Sequence, residues 1–144
     1  MQEYILYGSL FVCLLLEAVI DIRKQKIWLP LVLIEIPVLT GLNYSMGRGG
    51  IALWAASFGT GVVIYLVSIV TKEQIGKGDA YLFAMTGAGM GFLGNIALLY
   101  LTFFFAFLAA LFYWLVKKAG RGFRMPLAPF VFVSYCFIHL CRII

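Results

Sequence analysis

The chain has 144 residues, of which 64% are hydrophobic and only 12% are charged, and its net charge is +5. Charged residues make up about a quarter of an ordinary soluble domain, so this composition excludes that class and predicts an integral membrane protein. The positive charge does not indicate a nucleic-acid-binding protein, because the basic residues lie between apolar segments and act as topology signals.

Six apolar segments predict an all-α polytopic membrane protein with six transmembrane helices. In chain order the segments are residues 4–20, 27–44, 51–70, 79–93, 95–116 and 125–143. Each approaches the roughly 17–25 residues that cross a bilayer, although the fourth is short. The polar stretches between them are too short for a soluble domain, so we expect one membrane-embedded domain over residues 1–144.

The boundary between the fourth and fifth segments rests on a turn signal. No charged residue interrupts positions 80–116. A single helix of that length would extend about 55 Å, against a hydrocarbon core of about 30 Å. The pair Gly94-Asn95 is typical of a turn and predicts that the chain breaks there. One long tilted helix is the alternative.

The basic residues predict the orientation of the helices. With the N-terminus outside, nine of the eleven lysines and arginines lie on the inner side. The positive-inside rule therefore places both termini outside the cytoplasm and both aspartates of the chain at the cytoplasmic face. The nine inner residues are Arg23, Lys24, Lys26, Lys72, Lys77, Lys117, Lys118, Arg121 and Arg124, and the outer ones are Arg48 and Arg142.

Asp21 and Asp79 are the only aspartates, and each stands where an apolar segment meets a basic one. A carboxylate at a membrane boundary costs free energy, so such residues are functional candidates. Two carboxylates brought together could share one proton and activate a water molecule. Three other interpretations remain open: helix caps wetted at the interface, a small proton- or cation-coupled transporter, and a non-catalytic assembly protein.

Short motifs surround both aspartates. Asp79 ends the sequence Gly76-Lys77-Gly78-Asp79, whose glycines allow a loop to approach a partner helix closely. Asp21 opens an Asp-x-Arg-x-x-x-Ile segment, residues 21–27, just after the first apolar segment.

Two prolines precede the last apolar segment. Pro126 and Pro129 lie in the sequence Met-Pro-Leu-Ala-Pro-Phe, residues 125–130. Proline near the start of a helix fixes the backbone, so we expect these residues to stiffen the beginning of the last helix.

With these three motifs in this order, the chain resembles the type IV prepilin peptidase family, membrane aspartic proteases with a Gly-x-Gly-Asp signature. The resemblance extends from about Asp21 to the last helix, and it implies that Asp21 and Asp79 are the catalytic aspartates. It implies an endopeptidase without cofactor or metal, which cleaves a prepilin or pseudopilin with a basic leader, a glycine before the cut and a hydrophobic helix after it. The implied location is a prokaryotic cytoplasmic (inner) membrane, with the site facing the cytoplasm, and a Flp pilus is the favoured system.

The chain departs from the family pattern in three respects. Trp28-Leu29 stand where the family usually has Pro-Asn, and Tyr81 stands where a lysine often follows the second aspartate. Longer members also carry paired Cys-x-x-Cys motifs and methylate the product. This chain is similar to a short form without that segment, so we expect no methyltransferase activity and no zinc. Its cysteines, Cys13, Cys136 and Cys141, form no such pairs.

Three charged residues are candidates for tuning the aspartate pair. Glu17 lies four residues before Asp21 and would project from the same face of one helix. As a further carboxylate it would favour a proton shared between the aspartates. Arg23 and Lys77 are the other two residues that could tune the pair or line its groove. The competing interpretation is that Glu17 lines a hydrated groove without a kinetic role.

Overall fold

The computed structural model describes residues 1–47, 51–70, 76–117 and 125–143. These residues confirm the all-α fold, and the helices are α1 (Gln2–Lys24), α2 (Leu29–Ser45), α3 (Ile51–Val70), α4 (Lys77–Lys117) and α5 (Ala128–Ile143).

The helix α4 reverses direction at Gly91. Gly91 has φ 74° and ψ 177°, which interrupts the helix. The rings of Phe83 and Phe103 stack with their centroids 6.4 Å apart. In a straight helix, residues with this separation in sequence would lie about 30 Å apart. The helix therefore consists of two antiparallel arms, residues 77–90 and 92–117, and the single long tilted helix is wrong.

The reversal confirms the predicted break but corrects its position. We expected the break at Gly94-Asn95, and the structure has it at Gly91, where glycine adopts a positive φ at little cost. Gly94 instead packs in the second arm, where an added Cβ would lie 3.0 Å from the Cβ of Met90.

Two helix boundaries near the aspartates differ from those of the predicted segments. The first apolar segment was predicted to end at residue 20, whereas α1 continues to Lys24 and contains Asp21 in its last turns. The helix α4 begins at Lys77, so Asp79 lies in its first turn.

Within the part of the chain that the structure describes, two helices are long and apolar enough to cross a membrane by length and composition, namely α1 and residues Lys77–Val116 of α4. Shorter apolar helices cover Leu29–Ser45, Phe58–Val70 and Ala128–Cys141. The six spans and the orientation of the termini stay predictions, and several of the basic residues that support the orientation lie outside the described residues: Arg48, Lys72, Lys118, Arg121 and Arg124.

The helix α4 is the centre of the bundle. It contacts each of the other four helices, whereas α3 contacts α4 alone among the described residues, and α1 lies against both α2 and α5. Small residues allow the helices to approach closely. An added Cβ on Gly61 of α3 would lie 2.7 Å from the Cβ of Ala84, and one on Gly89 would lie 2.9 Å from Cδ2 of Leu10.

Asn95 joins three helical rods through hydrogen bonds. Its side-chain amide is buried, donates to the carbonyl oxygen of Phe83 at 2.9 Å, and also donates to the hydroxyl of Thr60 in α3. Its side-chain oxygen accepts a hydrogen bond from the hydroxyl of Thr86 at 2.7 Å. These bonds fix the two arms of α4 to each other and to α3.

Two further side chains, Asn43 and Tyr135, connect helices away from the aspartates through hydrogen bonds. Asn43 of α2 donates to the carbonyl oxygens of Ala88 and Gly89, at 2.6 and 3.2 Å. The hydroxyl of Tyr135 in α5 donates to the carbonyl oxygen of Tyr7 in α1 at 2.8 Å. The bundle thus orients α1, α4 and α5 so that the last turns of α1 and the first turns of α4 and α5 meet at one end.

Candidate active site

Asp21 connects the end of α1 to the beginning of α5. Its side chain is buried, with 6% of its surface exposed. Oδ2 accepts a hydrogen bond from the backbone N–H of Ala128 at 3.0 Å. The backbone amide of Leu127 also stabilises the ionised carboxylate. The carboxylate therefore caps the N-terminus of α5, where backbone N–H groups and the helix dipole favour an anion.

The position of these amides at the start of α5 explains why they are available. The first N–H groups of a helix have no acceptor within the helix. Pro129 has no N–H, and Phe130 and Val131 donate to the carbonyl oxygen of Leu127, at 3.0 and 3.2 Å. The amides of Leu127 and Ala128 remain for an outside acceptor, and Asp21 accepts a hydrogen bond from that of Ala128.

Asp79 begins α4 and turns back toward the glycine loop. Its backbone N–H donates to the carbonyl oxygen of Gly76 at 3.0 Å, and the N–H of Gly76 donates to its carboxylate. An added Cβ on Gly76 would lie 3.3 Å from Oδ2 of Asp79, which is a tight contact. The absence of a side chain at Gly76 therefore leaves space for the carboxylate.

Gly78 packs directly against the first motif. An added Cβ on Gly78 would lie 2.7 Å from Cγ1 and 2.9 Å from Cβ of Ile27. Distances this short do not occur between real side-chain atoms, so any larger residue would displace Ile27 or the loop. Ile27, the last residue of the Asp-x-Arg-x-x-x-Ile segment, thus packs directly against the glycine loop.

The structure brings Asp21 and Asp79 together at one end of the bundle, close enough for their charges to interact. Two close carboxylates repel each other when both are ionised, so such a pair holds one proton between them. The ionised member can then accept a proton from water while the protonated member donates to a carbonyl oxygen. These are the two functions that hydrolysis of an amide bond by water requires of a carboxylate pair.

Glu17 lies beside this pair. Its side chain is fully buried, Oε2 accepts a hydrogen bond from the N–H of Trp28 at 2.9 Å, and its charge interacts with that of Asp21.

The two basic residues that could tune the aspartates are exposed. Arg23 lies at the end of α1 and Lys77 at the start of α4.

Trp28 and Tyr81, which depart from the family pattern, have different surroundings. Trp28 directly precedes α2, and the proline that follows it, Pro30, lies in the first turn of that helix. Tyr81 lies against α3, where its ring centroid is 6.2 Å from that of Tyr65.

Sequence reasoning missed the amides of Leu127 and Ala128 as partners of Asp21. We interpreted Pro126 and Pro129 only as residues that stiffen the chain. A signal was present, because proline in a first turn is typical of a helix N-terminus, where the first N–H groups have no acceptor within the helix. The sequence did not indicate which carboxylate would accept from them.

The side chains that commonly bind metal ions are not clustered in the described part of the chain. Among the described residues, no group of three His, Cys, Asp or Glu side chains could hold a metal ion. Cys13 is buried, and its thiol contacts the sulfur of Met85 at 3.5 Å.

The sequence matches one known protein family over most of its length. Searches of curated proteins and of solved structures found no match. The family model described as the type IV leader peptidase family matches residues 8–115, which include Asp21, Asp79 and the glycine loop but not Pro126 and Pro129. The match supports a peptidase, gives no support to the transporter alternative, and covers well over half of the sequence. The chain therefore belongs to the type IV leader peptidase family.

Proposed function

We propose that this protein is a membrane aspartic endopeptidase that removes the short basic leader from type IV prepilin-like proteins at the cytoplasmic face. The observation that carries the proposal is the convergence of Asp21, from the end of α1, and Asp79, from the start of α4, at one end of the bundle. Membership of the leader peptidase family supports a substrate of this kind.

The surroundings of the two aspartates suggest different roles in the reaction. Asp21 accepts a hydrogen bond from the Ala128 amide at the N-terminus of α5, which compensates a negative charge, so we assign it as the general base. Asp79 faces that charge and carries the shared proton. Asp21 takes a proton from water, the hydroxyl oxygen bonds to the scissile carbonyl carbon, and Asp79 protonates the carbonyl oxygen.

The resulting gem-diol then collapses. The carbon–nitrogen bond breaks, the leaving amine takes the proton that Asp21 holds, and Asp79 recovers its proton from a gem-diol hydroxyl. No covalent bond forms between enzyme and substrate, and no cofactor is required.

The position of the pair suits a substrate with an apolar helix. A helix that follows the cut would lie in the bilayer beside the bundle, so the junction with its polar leader would reach the membrane surface. An aspartate pair at the ends of α1 and α4 would meet that junction. The corresponding location is the inner membrane of a prokaryote, with several spans, and a Flp-type pilus is our preferred system. The absence of methyltransferase activity stays a prediction.

The proposal is tested by co-expressing the chain with a prepilin that has a basic leader and a glycine before the cut. The intact chain should shorten the pilin. Asp21→Asn and Asp79→Asn should each lower cleavage by about 1,000-fold or more, because the two groups act as one unit.

Glu3→Gln provides the matched control, since it also removes a carboxylate from an α-helical end, but at the exposed start of α1. It should cleave like the intact chain. Cleavage that survives either aspartate substitution, or a panel of such prepilins that stays uncut, would overturn the proposal.

A further inference from the structure

Glu17 is a buried carboxylate whose hydrogen-bond donor is a backbone amide. None of its surface is exposed, and Oε2 accepts from the N–H of Trp28 at 2.9 Å. Its other oxygen, Oε1, has no hydrogen-bond partner among the described residues. Burying a carboxylate is unfavourable unless hydrogen bonds replace those it made with water. The burial of Glu17 therefore indicates that its hydrogen bond to Trp28 has a role.

The amide that Glu17 binds belongs to the short connection between α1 and α2. That connection begins at Gln25, which has a left-handed conformation with φ 50°, an uncommon state for a residue other than glycine. The N–H of Gln25 donates to the carbonyl oxygen of Asp21 at 2.8 Å. The connection is therefore held at its start by the backbone of Asp21 and at its end by the side chain of Glu17.

Ile27 lies between these two anchors and supports the second aspartate. It directly precedes Trp28, and Gly78 packs against its side chain so closely that an added Cβ would come within 2.7 Å of Cγ1. Asp79 is the next residue after Gly78. A shift of the Trp28 amide would thus move Ile27, and through Gly78 it would move Asp79 relative to Asp21.

We propose that Glu17 is a positioning residue of the catalytic centre: by binding the Trp28 amide it seats Ile27 against Gly78 and so fixes Asp79 opposite Asp21. This inference rests on the proposed peptidase function. It replaces the interpretation in which Glu17 tunes the aspartates through its charge, and it assigns the hydrogen bond, not the charge, as the important property.

The first test compares Glu17→Gln with Glu17→Leu in the full chain, purified in bilayer discs and supplied with the same prepilin. Glutamine keeps an oxygen acceptor for the Trp28 amide, whereas leucine has none. We expect Glu17→Leu to lower kcat by about 10- to 100-fold, as misplacement of a catalytic group does, with little change in KM because the buried side chain does not contact substrate. Glu17→Gln should stay within about threefold of the intact chain.

The outcomes separate the two proposals. If the intact chain does not cleave, the peptidase function itself fails. If it cleaves and Glu17→Leu does so at the same kcat, the positioning role is wrong while the function stands. If Glu17→Gln loses as much as Glu17→Leu, or shifts the pH profile, the charge of Glu17 acts and the positioning role is again wrong.

A second variant tests the same step without depending on Glu17→Leu alone. Trp28 has φ −85°, near the value that proline fixes. Trp28→Pro would therefore restrain the backbone at this residue without any hydrogen bond. We expect the double variant Glu17→Leu with Trp28→Pro to recover several-fold in kcat over Glu17→Leu. Equal kcat for the single and double variants would contradict the inference.

Discussion

Asn95 and Asp21 are both buried polar residues that bind across helices, yet their surroundings differ in kind. Asn95 is neutral, and both its oxygen and its nitrogen are bonded to neighbours in α3 and α4. Asp21 accepts a hydrogen bond from the backbone amide of Ala128 and still faces a second carboxylate, Asp79. The first arrangement leaves no polar group in need of a partner, whereas the second leaves a charge conflict that a proton must resolve.

This difference separates stability from chemistry along the bundle. Neutral groups that satisfy each other hold helices together in an apolar medium. Carboxylates that repel each other do not stabilise the fold by themselves, so their close approach is typical of a functional site. Substitutions near Asn95 should therefore change stability, and substitutions near the aspartates should change activity.

Among substitutions outside the two aspartates, the largest effect on cleavage is expected from Gly78→Ala. The new Cβ would lie within 2.7 Å of Ile27, so the glycine loop must shift and carry Asp79 with it. We expect the cleavage rate to fall by about 100-fold, because small displacements of catalytic groups are costly. The rate is measured with purified chain and prepilin.

Gly8→Ala is the matched control, since an added Cβ there meets nothing within 4 Å. It should leave cleavage unchanged. Ile27→Ala combined with Gly78→Ala should recover part of the loss, because it removes the branched side chain that the new Cβ meets. Normal cleavage by Gly78→Ala would show that the contact with Ile27 does not position Asp79.

Much of this site could be predicted from local sequence. The Gly-x-Gly-Asp motif and the early Asp-x-Arg-x-x-x-Ile segment identify Asp79 and Asp21, since a carboxylate at a membrane boundary stands out in an apolar chain. The break in the long fourth segment could also be predicted, because one helix would exceed the bilayer. The hydrophobic pattern did not indicate at which residue the segment breaks, because it contains several glycines. Among the glycines of this segment, Gly91 is the one that adopts a positive φ.

Contacts between distant residues could not be predicted in this way. Asp21 and Ala128 are 107 residues apart, and their hydrogen bond depends on how α5 packs against α1. The bond between Glu17 and Trp28 is nearer in sequence, but it depends on the left-handed conformation of Gln25. Such contacts follow from tertiary packing, which local propensity does not determine.

A moderate effect, on stability alone, is expected from Asn95→Leu. The change removes the hydrogen bonds to Thr60, Phe83 and Thr86. Hydrogen bonds between helices in a membrane contribute modestly, so we expect a loss of about 2 kcal/mol in the free energy of unfolding. Unfolding in detergent gives this value, and the cleavage rate per folded molecule should stay unchanged.

Ser45→Ala is the control for that loss. Ser45 is exposed, and its hydroxyl donates to a carbonyl oxygen of its own helix at 2.8 Å. Its removal should change the free energy of unfolding little. If Asn95→Leu instead stopped cleavage in fully folded protein, the separation of stability from chemistry would be wrong.

The smallest effect is expected from Tyr135→Phe. This change removes only the hydrogen bond to the carbonyl oxygen of Tyr7 and keeps the packing of the ring. We expect a loss of about 1 kcal/mol in the free energy of unfolding and no change in cleavage. Tyr44→Phe makes the same chemical change at a side chain that is 85% exposed, and should alter neither quantity.

The most direct test of the central claim is the cleavage rate of purified Asp21→Asn, Asp79→Asn and the double variant, measured with one prepilin in bilayer discs. If the aspartates form one catalytic unit, each single variant falls to the same residual rate as the double variant. A single variant that keeps a substantial share of the intact rate, or single losses that multiply in the double variant, would show that the two aspartates act independently.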